Sequence, residues 1–217
     1  MNEKHKAKII IKSLNQIYPK TPIPLKSRNT FTLLISVLLS AQCTDVNVNN
    51  VTKKIYPKYY KPEHFTKLGQ KRIEKLIKKI GIFRIKSKNI YFMSKIILEK
   101  HNGKVPKTFE ELEKLPGVGH KTASVMMSQG FGYPAFAVDT HIHRLAQRWG
   151  LTNGKNVVQT EKDLKRIFPK KTWSKLHLQM IFYGREYCKA RDCHGLTCKI
   201  CTTCYPNRKK PVTSQKA

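Results

Sequence analysis

The chain has 217 residues, with 43 Lys+Arg against 13 Asp+Glu and a formal charge of +30. Apolar residues make up 40% of it, enough for a folded core, and the cationic excess points to a polyanion partner, nucleic acid first, rather than a small metabolite. The longest apolar run, Phe31 to Leu39, falls short of the ~20 residues that span a bilayer, and Met1 to Lys12 lacks the apolar core and cleavage site of a signal peptide.

An intracellular address, cytoplasmic or nucleoid, is therefore expected. In that reducing setting the five cysteines between Cys188 and Cys204 argue for a metal rather than disulfides. In chain order, Ile9, Ile10, Leu14 and Ile17 recur at helical spacing until the prolines at 19, 22 and 24 end the helix. Asn29 is placed to cap a helix through Phe31, Leu33, Leu34, Val37 and Leu38, and Thr44 with Asp45 to cap one ending near Pro57. Ile73, Leu76, Ile77 and Ile80 stripe another, with Gly81 where a C-terminal cap glycine belongs. Ile90, Met93, Ile96 and Ile97 mark the next. Thr108 with Glu111 has the form of a capping box opening a short helix to Leu115. Helices are predicted near 120–129, 140–149, 160–168 and 172–184. No stretch alternates apolar and polar residues long enough to need a sheet, so the fold class is all-α. Asn207 to Ala217 is basic, has Val212 as its one large apolar residue, and reads as a mobile tail.

Four strings carry chemistry. In Leu115-Pro-Gly-Val-Gly-His-Lys-Thr-Ala123, Gly117 and Gly119 allow a tight turn with outward N–H groups, Val118 anchors it, and a helix starts at once. Such a helix start offers unpaired donors and partial positive charge to a phosphate, although a bare Gly-x-Gly can equally be a structural turn. In Val138-Asp-Thr-His-Ile-His-Arg144, Asp139 taken alone is an N-cap acid. In Leu38-Leu-Ser-Ala-Gln-Cys-Thr-Asp45 and Gly81-Ile-Phe-Arg-Ile-Lys-Ser-Lys-Asn-Ile90, Gln42 by itself reads as a solvated helix end and Ile82 as a loop residue packed on the core. After Gly184-Arg-Glu-Tyr-Cys188, thiols this dense suit iron–sulfur or zinc, because thiolates prefer soft and borderline metals. Cys43 lies far away and reads as a packed small hydrophobe.

Together these strings resemble the endonuclease III family of helix–hairpin–helix DNA glycosylases, in that family's order from the Phe31 helix to Cys204. The resemblance implies two helical domains: residues 24–133 with the hairpin, and residues 1–23 plus 134–206 with a C-terminal cysteine cluster loop, a DNA-binding cleft between them. Residues 207–217 remain as the basic tail. It implies that Gly117, Val118, Gly119 and His120 grip the DNA backbone, that Lys121 attacks the sugar and that Asp139 assists. Gln42 would fill the space left by a flipped base, and Ile82 would be the apolar wedge. The resemblance also implies a [4Fe–4S] cluster, with zinc as the alternative. Cys188 matches through its preceding Gly-Arg. With Cys198 and Cys201 as the middle pair, Cys204 becomes the fourth ligand and Cys193 the surplus thiol, although Cys193 could replace Cys204.

The chemistry expected is base excision with strand nicking. Cleaving an N-glycosidic bond builds positive charge on the sugar, which Asp139 would steady. Lys121 must lose its proton to attack, helped by the helix start, cationic neighbours and partial burial. Lys121 and the absence of an extra C-terminal recognition domain favour a bifunctional glycosylase/AP lyase on oxidised pyrimidines. Its partner would be double-stranded DNA containing damaged bases or abasic sites, bound by a monomer. The alternatives are another base preference on the same fold, mismatch or oxidised purine, and a non-catalytic DNA-binding module.

Overall fold

The computed structural model describes residues 1–215. Among them the chain forms eleven α-helices and no strand, as the all-α expectation requires. They are α1 (Glu3–Ile17), α2 (Thr30–Ser40), α3 (Asp45–Ile55), α4 (Pro62–Leu76), α5 (Phe83–His101), α6 (Phe109–Glu113), α7 (His120–Val125), α8 (Thr140–Arg148), α9 (Val157–Ile167), α10 (Trp173–Glu186) and α11 (Lys199–Cys204). A π-helical turn, Met126–Gly130, prolongs α7. No helix among the described residues is long and apolar enough to cross a membrane.

The helices fall into two compact units, Ile23–Tyr133 and Met1–Pro22 with Pro134–Ala217. In the first, α2 is the central rod. Every residue from Phe31 to Leu39 is buried, the pattern of a helix covered on all sides rather than striped. It packs against α3, α5, α7 and the π turn. Asn29 starts it with a capping box, its side chain accepting from Thr32 N–H while the Thr32 side chain receives the Asn29 N–H. Its buried polar atoms are satisfied: Tyr56 Oη lies 2.7 Å from Ser36 Oγ and donates to Thr32 O at 2.9 Å. Thr44 likewise caps α3.

Two local readings are corrected in this unit. The helix striped by Ile73 begins earlier, at Pro62, and bends at Gly69, whose φ of +71° no helix interior adopts. It also ends earlier, at Leu76, and Gly81 is not a cap. Ile77 and Ile80 are instead buried in a turn closed by Ile80 N–H on Ile77 O at 2.8 Å, so burial rather than helical phase set the spacing of the isoleucines. At α6, Thr108 does cap, accepting from Glu111 N–H at 3.2 Å. The Glu111 carboxylate, however, accepts from the Thr108 hydroxyl at 2.9 Å rather than from the backbone.

The second unit is assembled from both ends of the chain. α1 buries Ala7, Ile10 and Leu14 and packs on α9, α10 and α11. Gln179 of α10 donates to Tyr18 O at 2.9 Å and to Leu14 O at 3.2 Å, closing the end of α1. Trp149, Leu145, Ile142, Leu164, Phe168, Leu176 and Met180 fill the middle. The segment after Asn207 is not a free tail as far as it is described. Arg208 donates to Arg148 O and Gly195 O, Val212 N–H to His194 O, and Gln215 N–H to Gln147 Oε1. Backbone pairing of this kind is invisible in a run chosen by composition.

Candidate active site

The hairpin joins α6 to α7. Leu115 and Val118 are buried, and Val118 N–H donates to Leu115 O at 3.0 Å, so Val118 is the anchor that the sequence suggested. Gly117 has φ +79°, and a Cβ there would stand 2.5 Å from Asn89 Nδ2 of α5. Gly119 has φ −94°, and a Cβ there would meet nothing within 4 Å. No side chain caps α7, which leaves the donors of its first turn to an external acceptor. His120 is held against α6, its ring stacked on Phe109 at 5.5 Å and its Nδ1 2.8 Å from Glu113 Oε1. Lys121, one residue further, is exposed. The partial burial expected for it is not found.

Asp139 follows a buried run, Ala135 to Val138, and starts α8 from an extended backbone. Its Oδ1 accepts from Ile142 N–H at 2.8 Å, so the capping role is present. Capping engages one oxygen, fixes the carboxylate's direction and does not exclude chemistry at the other. Lys121 and Asp139 belong to different units.

Gln42 and Ile82 share an unusual backbone. Only four non-glycine residues among those described have positive φ, and these are two of them, at +53° and +49°. For the β-branched Ile82 this conformation costs about 1–2 kcal/mol, and the side chain is 49% exposed, so no burial of its own offsets the strain. The two loops touch. A Cβ on Gly81 would lie 3.7 Å from Gln42 O, and Asn47 Nδ2 donates both to Lys79 O and to Cys43 Sγ at 3.2 Å. Ile82 is therefore not packed on the core, and the structure brings the two residues together.

The cysteines form a buried group in the second unit. Cys188, Cys193, Cys198 and Cys201 have thiol sulfurs all within 4.8 Å of one another. The structure thus gathers Cys193, rather than Cys204, with the other three sulfurs, whereas the spacing had put Cys204 fourth and Cys193 surplus. The reason is α11, which the sequence did not announce. Cys198 caps it, Cys201 lies in its first turn, and Cys204 falls one turn on, about 4.5 Å further along the axis. Cys193 comes in from a turn made by His194 and Gly195, both at positive φ, with Leu196 N–H on Cys193 O. Hydrogen bonds from Cys188 and Cys201 hold Cys198 far below the usual thiol range; the bond with Cys198 raises Cys188, and bonds with Cys188 and then Cys198 raise Cys201. Burial pushes the Cys204 thiol up to about 11, as suits a packed neutral thiol. An all-thiol, buried donor set fits a structural metal centre. The Cys188–Cys201 and Cys193–Cys201 separations, 3.9 and 4.0 Å, are close to the edge of about 3.8 Å in a tetrahedron with 2.3 Å metal–sulfur bonds.

The chain matches the family model of HhH-GPD superfamily base excision DNA repair proteins over residues 35–170. It is 42% identical to endonuclease III of Bacillus subtilis, covering 91% of this chain and 90% of that protein, and 41% identical to endonuclease III of Escherichia coli K12, covering 94% and 96%. The chain belongs to the endonuclease III family. A solved structure of a trapped endonuclease III–DNA covalent intermediate, in an estranged-adenine complex, superposes with a TM-score of 0.87 at 41% identity, covering 92% of this chain and 94% of that one.

Within this endonuclease III fold, two arginines do what sequence reasoning missed. Arg148, 2% exposed, donates to Lys189 O at 2.7 Å, Ala190 O at 2.9 Å, and Cys188 O and Sγ at 3.4 Å. Arg144 donates to Gly184 O at 2.9 Å and Cys188 O at 3.1 Å. Both ride on α8, the helix that Asp139 starts, so one helix carries the acid at its head and the cysteine loop's supports at its tail. The pair sits at i, i+4 on one helix, flanked by His143, Leu145, Gln147 and Trp149, a pattern that announces no role by itself. Its partners are carbonyls, which no sequence pattern displays.

Proposed function

We propose that this base-excision repair glycosylase removes oxidised pyrimidines from duplex DNA with Lys121 as nucleophile and then nicks the strand as an AP lyase. The observation that carries the reading is the exposed Lys121 amine, one residue beyond a hairpin whose α7 N–H groups have no side-chain cap. Those donors would take a backbone phosphate, and Asp139, aimed by its Ile142 bond, would stabilise the cationic sugar. The lysine Nζ bonds to C1′ as the N-glycosidic bond breaks and the base leaves with a proton. The adduct opens to a Schiff base, β-elimination expels the 3′ phosphate, and hydrolysis returns the amine. Gln42 and Ile82 would occupy the space vacated by the base, which must leave the stack first.

The thiolates of Cys188, Cys193, Cys198 and Cys201 would hold a [4Fe–4S] cluster, a reading supported by the all-thiol donor set and by the family resemblance. When bound, it would cross-link the loop to α11 and serve folding rather than bond breaking. A single zinc is the second reading, favoured by the thiol separations. Iron and zinc content of anaerobically purified protein decides between them.

Borohydride reduction during reaction with a thymine-glycol duplex tests the main reading. A covalent protein–DNA adduct formed on that lesion, and absent with Lys121→Ala, is the expected result. A trapped adduct with mismatched or oxidised-purine duplexes but none with thymine glycol would overturn the substrate assignment.

A further inference from the structure

Two lysines among the described residues are buried, Lys6 and Lys86, and the chemistry above uses neither. Lys6 donates to Tyr205 Oη at the far end of the chain, whereas Lys86 sits beside the two loops that carry Gln42 and Ile82. Lys86 lies in the first turn of α5 and is 3% exposed. Its ammonium crosses to the end of α2, donating to Leu39 O at 2.8 Å and Ala41 O at 2.6 Å. Its backbone N–H makes the ordinary first helical bond of α5, to Ile82 O at 3.1 Å. The side chain thus holds the carbonyl just before Gln42 from a helix that Ile82 caps. These acceptors have little else to hold them. Leu39 and Ala41 stand at the end of α2, where helical carbonyls run out of N–H partners, and both wedge residues keep a left-handed backbone that their own side chains disfavour.

A lysine is an uneconomical way to fill this space if filling were all it did. Burial lowers its pKa, so the site works against the charge it contains. A leucine or methionine would pack there without that penalty, but would donate nothing. The neighbouring charges do not explain it either. The side chain near its head is the half-buried Cys43 thiol, itself hydrogen-bonded by Asn47, and no carboxylate pairs with it among the described contacts.

We infer that Lys86 is a positioning residue for base extrusion: its ammonium, bonded to Leu39 O and Ala41 O, ties the end of α2 to the start of α5, where Ile82 is the N-cap residue, and so locks Gln42 and Ile82 into one rigid double wedge. Preorganisation of this sort matters when the duplex has to be opened, because the wedge must already be in place to substitute for the lost stacking. It matters little at a site where no base remains to be extruded. The inference rests on the reading of Gln42 and Ile82 as the wedge pair.

The test separates extrusion from chemistry. Lys86→Met keeps the stem and removes the donors. Single-turnover excision of thymine glycol from a duplex should slow roughly tenfold or more, whereas nicking of a preformed abasic site should change less than threefold. The fluorescence rise of 2-aminopurine placed beside the lesion, which reports unstacking, should shrink in parallel with excision. A merely structural role would lower both activities by one factor, the loss of folded protein, and that result overturns the inference. So does an unchanged excision rate. If Lys86→Met does not fold, Asn47→Ala removes the other tie between the loops from a half-buried position and must give the same split, in the same direction, for the inference to stand. Gln42→Ala and Ile82→Ala run alongside. If they slow excision and Lys86→Met does not, the positioning role fails alone; if they leave excision unchanged, the wedge reading fails and takes this inference with it.

Discussion

The two units solve the same problem with different means. The hairpin unit is one continuous stretch of chain, Ile23–Tyr133, wrapped around a helix whose nine consecutive buried residues need no ion and no distant partner. The other unit must join Met1–Pro22 to Pro134–Ala217, and at its far end the core consists of cysteines and a buried arginine. Burying a guanidinium costs free energy that its hydrogen bonds must offset, and at Arg148 the two terminal nitrogens are bonded while Nε finds no partner among the described residues. Burying four thiols close together leaves sulfurs that repel once ionised. The difference teaches where each unit's stability comes from. In one it is apolar area, at roughly 25 cal/mol per Å²; in the other a set of charge-assisted hydrogen bonds, and the metal its four cysteines would hold, complete what apolar area begins.

Removing the metal is the largest perturbation of that contrast. Chelation of the purified protein should strip hydrogen-exchange protection from α10 and α11 while the amides of α2 stay protected. Loss of protection in both units together would break the comparison, because it would mean the hairpin unit has no stability of its own. Next in size is Lys121→Ala. It should take base release and nicking below detection and leave the melting temperature unchanged, since the side chain is exposed. Asp139→Asn should slow excision by roughly 10² at little cost in stability, because asparagine caps a helix as well as aspartate does. A slower enzyme that is also much less stable would return Asp139 to a purely structural role. The smallest effect is expected at Cys204. Cys204→Ser should retain the metal, whereas Cys193→Ser should lose it, and the reverse result would restore the spacing-based ligand set.

Much of this was legible in residues, and the failures have physical causes. Asn29, Thr44 and Thr108 announced their helices because capping is a local hydrogen bond within three residues. Lys121 and Asp139 stood out through the strings around them. Gly81 misled because an isoleucine stripe records burial and burial continues past the end of α4. Which cysteines gather was not legible because α11 is six residues long, too short to show a period, yet it decides which sulfurs point the same way. Arg148 and Lys86 were unreadable for a shared reason: both spend their donors on backbone carbonyls far away in the chain, and a carbonyl has no letter in the sequence.

Gly117 and Gly119 look interchangeable in the string, and the space around them says that they answer to different judges. At Gly117 any side chain would strike Asn89 and force a disfavoured φ; at Gly119 the backbone is ordinary and the surroundings are open. A library randomised at both positions and sorted only for folded, soluble protein should purge variants at 117 and keep them at 119. The same library sorted for survival under oxidative damage should purge both, because at 119 the missing Cβ leaves room for whatever lies against the start of α7. One glycine answers to the molecule's own interior; the other, under the proposed function, would answer to the DNA backbone.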